Sequence, residues 1–225
     1  MRLVTIPGVF RPRTDSMLLA DCVRARVSPG DTVLDPFTGS GVLAIAAARA
    51  GARATAIDVS RRAVGCAWFN ARLNGVRVRA LRGDMFSPVR FERFHLIVAN
   101  PPYLPARGQA PPRGAARAWD AGPNGRAAID RLCRAAPSHL LPGGELFLVH
   151  SSICDAEATL AMLAIRGLDV EIVERRRGPL GPLLSARAQT LERRGLLEPG
   201  EREEEMLVFR ARAPDGGRVR VLEPG

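Results

Sequence analysis

The chain has 225 residues and a mass of 24.3 kDa, which suits one domain with a sizeable buried core. Apolar content is an ordinary 46%, and no uninterrupted apolar stretch nears the ~20 residues needed to cross a bilayer, so no transmembrane helix is expected. A net charge of +10 would suit a polyanionic partner such as nucleic acid or the ribosome, yet all 33 basic residues are Arg and none is Lys, a bias that GC-rich coding produces without functional selection.

Strand and helix signals alternate, as βαβ units around a mostly parallel sheet require. Residues 32–34 form a first short strand, followed by a Gly-rich turn and an Ala-rich helix over 42–50. A second strand at 54–57 leads into a helix over 61–73, and strands follow at 78–81 and 94–99. The pattern then predicts a helix over 127–140, stopped by Pro142-Gly143-Gly144, and a strand at 146–149. A helix over 155–165 closes at Gly167, and strands at 170–173 and 206–209 complete the set. One folded domain is expected over residues 1–213, with a frayed tail from Pro214. Two stretches break the alternation. Residues 104–125 are rich in Pro, Gly, Ala and Arg and read as a functional or solvated loop. Residues 175–204 begin with three consecutive arginines and read as solvated loop.

Residues 1–13 lack the basic-then-apolar pattern of a secretory signal. Cys22, Cys66, Cys133 and Cys154 are scattered, with no CxxC and no His at ligand spacing. They read as reduced thiols of a cytoplasmic protein without disulfides or a metal site. His95, His139 and His150 adjoin apolar stretches or helix ends and read as structural.

Asn100-Pro101-Pro102-Tyr103 follows the apolar run 94–99 and therefore sits at a strand's carboxyl end, where open α/β sheets place ligands. The tetrapeptide suits the holding of a planar NH2 group. The Asn100 carbonyl and a backbone carbonyl can accept both N–H bonds, and the prolines stiffen the turn and bring no N–H of their own. Tyr103 can lie against the flat face of the group. Upstream, Asp35-Pro36-Phe37-Thr38-Gly39-Ser40-Gly41 joins the first strand to the first helix, where Gly39 and Gly41 permit a tight turn close to a ligand. Asp58 and Val59 follow the second strand, where an acid grips ribose hydroxyls. Asp84 and Met85 follow the third, where a carboxylate can accept from an adenine amine and a thioether can pack on the ring. This order describes S-adenosylmethionine bound beside its acceptor. A nicotinamide reading leaves the tetrapeptide idle, and a nucleoside-triphosphate reading needs a GxxxxGK[ST] that a chain without Lys cannot supply.

These residues resemble the class I S-adenosylmethionine-dependent methyltransferases of the HemK-related group, which methylate the glutamine side chain of translation release factors. The resemblance extends to Pro12-Arg13-Thr14-Asp15-Ser16, similar to the family's Pro-x-x-Asp/Glu-Thr/Ser segment that packs over the cofactor. It ends at Trp119-Asp120-Ala121-Gly122-Pro123-Asn124-Gly125-Arg126, similar to the Trp-x-Gly-Gly-x-Asn-Gly-Arg stretch of the short eukaryotic and archaeal branch. It implies a Rossmann-like, seven-stranded, mostly parallel sheet with helices on both faces and the last strand antiparallel. Catalysis falls to Asn100, Pro101 and Tyr103. The cofactor falls to Pro12, Asp15, Ser16, Asp35, Phe37, Thr38, Gly39, Gly41, Asp58, Val59, Asp84, Met85 and Asn100. The acceptor falls to Pro102, Tyr103, Trp119, Asn124 and Arg126. A release-factor-like protein and a small zinc-binding activator subunit are the implied partners. Only about ten residues precede the first motif, which leaves no room in this sequence for the helical N-terminal domain of longer bacterial relatives. Phe37 stands where the family has a Gly, and Asp35-Pro36-Phe37 also resembles the turn of DNA and RNA amino-methyltransferases. A nucleic-acid amine, a small-molecule amine, or cofactor binding without activity therefore stay open as alternatives.

Overall fold

The computed structural model describes residues 1–106 and 119–216, so the final residues of the expected tail lie outside the described part. Helix α1 (Thr14–Arg26) precedes β1 (Thr32–Asp35), α2 (Val42–Arg49), β2 (Arg53–Asp58), α3 (Arg61–Leu73), β3 (Val78–Arg82) and β4 (Phe94–Ala99). Then come α4 (Ala127–Ala135), β5 (Leu140–Ser151), α5 (Ala156–Ala164), β6 (Asp169–Pro179), α6 (Pro182–Ser185), α7 (Ala188–Arg193) and β7 (Glu203–Arg212). The strands form one seven-stranded sheet in the order β3-β2-β1-β4-β5-β7-β6. Strands β1 to β5 run parallel, and β7 runs antiparallel to both β5 and β6. This is the expected Rossmann-like architecture with its last strand reversed.

Successive strand residues face opposite ways, and the two faces carry separate cores. Leu34, Ile57, Ile97 and Leu146 pack with Ile129 and Leu132 of α4 and Leu163 of α5. Val33, Ala56, Leu96 and Phe147 pack with Leu18, Leu19 and Val23 of α1 and with Leu43 of α2. Both faces are covered, which is why the parallel strands read as continuous apolar runs rather than as alternation.

Three elements differ from the sequence reading. The helix expected over 127–140 stops at Ala135, because Pro137 has no N–H to continue the ladder and the chain tightens into a 3-10 turn over Ala136–His139. The following strand starts already at Leu140 and carries Pro142-Gly143-Gly144 at an irregular register against β4. A Cβ at Gly144 would lie 2.8 Å from the Leu141 oxygen and 2.9 Å from the Phe94 oxygen, so the strand can pass there only with glycine. Helix α1 has no counterpart in the sequence reading, since buried Asp15 and Ser16 interrupt its apolar stripe.

Residues 175–204, read as solvated loop, are largely ordered structure. Strand β6 runs on to Pro179, α6 and α7 follow, and β7 begins at Glu203. Leu180, Leu184, Ala188, Leu191 and Leu197 form a third apolar cluster that packs on Leu104 and Ile153. That spacing of four, four and three residues is a helical signal that the surrounding arginines obscure.

Candidate active site

The strand order reverses at β1, between β2 and β4, and the crevice past the carboxyl ends at such a switch point is where these sheets take ligands. A cavity of about 1150 Å3 opens there. Five separate stretches of chain line it: Pro12, Asp15 and Ser16 at the start of α1, Phe37 to Ser40 after β1, Asp58 and Val59 after β2, Asp84 and Met85 after β3, and Asn100 to Leu104 after β4. Trp119 lines it too.

The turn after β1 is held from below. The Asp35 side chain is fully buried, accepting from Thr38 Oγ1 at 2.7 Å and from the Phe37 N–H at 3.4 Å. Asp35 therefore shapes the turn without lining the cavity, which corrects its expected contact with the cofactor. Gly41 also stands apart from the cavity. Its φ is +90°, and a Cβ there would come 2.9 Å from the Ala67 Cα, so it serves the close packing of α2 on α3. Asp58 accepts from the Gly39 N–H at 3.0 Å and from the Ser60 N–H at 2.9 Å, which locks the turn to the end of β2. Burial pushes its carboxyl above the usual range, with the backbone N–H bonds pulling the other way.

Burial also raises Asp35, to about 7, against the opposing hydrogen bonds from Thr38 and Phe37. An acid raised in the folded state gives stability that is complete below its unfolded pKa of 3.8 and is lost as the pH climbs through about 7. His150 acts in the opposite sense, because burial lowers it from 6.5 to about 4. The clean observable is therefore the difference between wild type and Asp35→Asn in urea unfolding. It should move in favour of wild type by up to about 4 kcal/mol between pH 7 and pH 4. A difference independent of pH would show that Asp35 is charged throughout.

The Asn100–Tyr103 tetrapeptide is braced by α1. Asn100 Nδ2 donates to Asp15 Oδ2 and to Ser16 Oγ, both at 3.0 Å, and the Tyr103 hydroxyl donates to the same Asp15 oxygen at 2.9 Å. With its NH2 engaged, Asn100 has Oδ1 left to accept. Among the described residues nothing donates to the Pro101 carbonyl. Asp15 is itself buried, and its other oxygen accepts from the Ser16 N–H at 2.6 Å. Burial, reinforced by the Asp15 and Glu204 carboxylates, holds the Tyr103 phenol well above its ordinary value, so the ring stays neutral.

The carboxyl-terminal motif divides by position. Leu104 and Asp120 form a β-bridge, with the Leu104 N–H on the Trp119 oxygen at 2.8 Å and the Ala121 N–H on the Leu104 oxygen at 2.9 Å. Asn124 and Arg126 do not line the cavity. Asn124 is exposed and accepts from the Arg126 N–H at 3.1 Å. Arg126 is buried and donates to the carbonyls of Cys154 and Asp155 and to Thr159 Oγ1, while pairing with Asp130 at 2.8 Å. A Cβ at Gly125 would sit 2.2 Å from the Tyr103 oxygen. Gly125 and Arg126 thus underlie the tetrapeptide, which corrects the expectation for Arg126, while Asn124 lies exposed outside the cavity and not in the expected acceptor site. The centre of the loop expected over 104–125, residues 107–118, lies outside the described part.

Three residues at this site have no place in the sequence reading. Arg131 of α4 pairs with Asp84 at 2.6 Å. Arg187 is buried and bridges the Pro105 carbonyl and Asp120, at 2.6 and 2.7 Å, pinning both sides of the loop. Glu204 lines the cavity from β7. Nothing in the local sequence marks them, since each acts on a partner 23 or more positions away.

A family model described as the methyltransferase small domain matches residues 1–115. The chain belongs to this family. Within it the protein is a HemK-like class I methyltransferase, and its cofactor is S-adenosylmethionine. It is 33% identical over 193 residues to a protein of Methanocaldococcus jannaschii whose assignment as a protein N5-glutamine methyltransferase is provisional, covering 85% of this chain and 96% of that one. It is 38% identical over 178 residues to the release factor glutamine methyltransferase of Bordetella pertussis, covering 72% of this chain but only 63% of that protein. Among solved structures, the E. cuniculi Mtq2–Trm112 complex, responsible for methylation of the eRF1 termination factor, superposes with a TM-score of 0.62 at 20% identity. That match covers 92% of this chain and 99% of the other. The T. thermophilus 16S rRNA N2 G1207 methyltransferase gives 0.61 at 21% identity, over 93% of this chain and 46% of that one. At such identities the two structures speak for the fold alone.

The methyltransferase cavity fits its cofactor in donor chemistry. Two carboxylates, Asp58 and Asp84, and the apolar side chains of Phe37, Val59 and Met85 line it. Met85 sits at a φ of +53°, uncommon outside glycine, which the turn after β3 imposes.

Proposed function

We propose that the protein methylates the side-chain amide nitrogen of a glutamine in a translation release factor or a similar protein. The observation that carries this reading is the fixed orientation of Asn100. Its NH2 is consumed by Asp15 and Ser16, and its carbonyl is left to accept. The similarity to glutamine methyltransferases over most of the chain supports it.

Bound S-adenosylmethionine supplies a methyl group already activated by its sulfonium. Asp58 would take the ribose hydroxyls, Asp84 the adenine amine, and Phe37, Val59 and Met85 the ring. An amide nitrogen is a poor nucleophile because its lone pair is delocalised, so the protein's task is orientation and electrostatics. Asn100 Oδ1 and the Pro101 carbonyl accept the two N–H bonds of the acceptor amide and turn its nitrogen lone pair toward the methyl. Both dipoles favour the positive charge that grows on nitrogen. Tyr103, its hydroxyl tethered to Asp15, offers its ring to the flat face of the amide.

Asp58→Ala should weaken cofactor binding by about tenfold or more in calorimetry, the scale of one lost hydrogen bond to a charged group. An unchanged affinity would remove Asp58 from the site. A small activator subunit and a cytoplasmic location belong to the same proposal, and no described helix is long and apolar enough to cross a membrane. Phe37 in the turn favours a second reading, a nucleic-acid amine as acceptor. Methyl transfer to purified release factor and to rRNA, at two salt concentrations, separates them. The proposal expects labelled release factor whose Gln→Ala variant stays unlabelled. Labelling of RNA alone, with log affinity falling by about 0.7–0.9 per phosphate contact on log salt, would overturn it.

A further inference from the structure

The outer end of the β6–β7 ribbon forms a wall of the cavity, through Arg176, Gly178, Glu204 and Met206 among others. Arg176 pairs with Met206 and Gly178 with Glu204 across the ladder. Directly opposed residues share a face, and the face alternates along each strand, so these four stand together. Arg175, Arg177, Glu203 and Glu205 alternate with these four and neutralise one another through Arg177–Glu203 at 2.8 Å and Arg175–Glu205 at 3.5 Å, and of them Arg177 also reaches the cavity. Arg176 and Glu204 have no such ion pair among the described residues. Glu204 Oε1 accepts from the Gly181 N–H at 3.0 Å, whereas Oε2 is buried and has no hydrogen-bond partner among the described residues. A buried carboxylate oxygen left in that state costs free energy that a donor from outside would recover. Between the two charged ends, Gly178 leaves a gap, because a Cβ there would meet no atom within 4 Å among the described residues.

We infer that this face of the ribbon receives the main chain of the acceptor protein, with Glu204 Oε2 accepting a peptide N–H, Arg176 donating to a peptide carbonyl, and the extended chain lying in the gap at Gly178. The inference rests on the protein-glutamine reading above and adds how the segment bearing the glutamine is held. An acceptor and a donor on one face match the alternating N–H and C=O groups of an extended strand. Glu204 and Tyr103 line the same cavity, so this wall and the tetrapeptide that holds the amide face one space.

Glu204→Gln keeps an oxygen for the Gly181 N–H and replaces the second oxygen with an NH2 that cannot accept. Its KM for release factor should rise about 10- to 100-fold, the range of one charged hydrogen bond, with kcat and cofactor affinity unchanged. Gly178→Val fills the gap without touching a charge and should raise the same KM by at least tenfold. Thermal unfolding of both variants identifies any that is not folded, and the other then decides. An unchanged acceptor KM in a folded variant overturns the inference while leaving the glutamine assignment standing. Failure of the wild type to label release factor, with RNA labelled instead, overturns both. A purely structural Glu204 would spare KM in Glu204→Gln, since the bond to Gly181 survives.

Discussion

Asn100→Ala should lower kcat by about 10²–10³-fold, the usual cost of deleting one preorganised dipole aimed at developing charge. Cofactor affinity should stay within a few fold, because the proposed mechanism aims Asn100 Oδ1 at the acceptor amide. The network gives a sharper version of this test. Asp15 holds Asn100 and Tyr103 through a single oxygen, Oδ2, so Asp15→Asn should loosen both and also reduce kcat. If Asp15 acts only by positioning, adding Asp15→Asn to Asn100→Ala should cost little more than Asn100→Ala alone, since residues in one network are not additive. Stopped-time methylation of release factor at saturating cofactor measures all three. Normal turnover in Asn100→Ala would sink the proposed mechanism. Full additivity of the two changes would assign Asp15 a separate task, such as contact with the cofactor.

Arg126→Ala should destabilise the fold by about 3–5 kcal/mol, the scale of breaking a buried ionic network. The side chain is buried and satisfies the carbonyls of Cys154 and Asp155, Thr159 Oγ1 and Asp130. Its removal leaves several buried acceptors without a donor and a cavity between α4 and the start of α5. Urea unfolding should show the loss directly. The acceptor KM should change only as far as the tetrapeptide above shifts, because Arg126 does not line the cavity. A stable variant with a raised acceptor KM would return Arg126 to the substrate surface that the sequence motif implies.

The contrast at Arg126 shows where sequence reasoning stops. Trp119 and Arg126 belong to one motif, but the chain between them turns, so Trp119 reaches the cavity and Arg126 goes beneath it. A motif records which residues occur together and not which way each points. The same holds for Asp35 and Asp58, two acids at strand ends, of which one is sealed under the turn and the other lines the cavity. Residues 175–204 show a different failure. Their arginines dominate the composition, while the apolar set Leu180, Leu184, Ala188 and Leu191 becomes a core only against Leu104 and Ile153, which lie 27 or more positions away.

Local sequence by itself determined the alternation of strands and helices and the methyltransferase order of motifs, because apolar period and Gly or Pro punctuation act over a few residues. The positions of Asp58, Asp84 and Asn100 at strand carboxyl ends follow from that alternation. Tertiary structure alone decided which way the Asn100 amide faces, since that depends on Asp15 and Ser16, 85 and 84 positions earlier. It also decided that Glu204 and Arg176 line the cavity while Arg175, Glu203 and Glu205 do not. That outcome depends on the register of β6 against β7, and a shift of one residue would exchange the two sets.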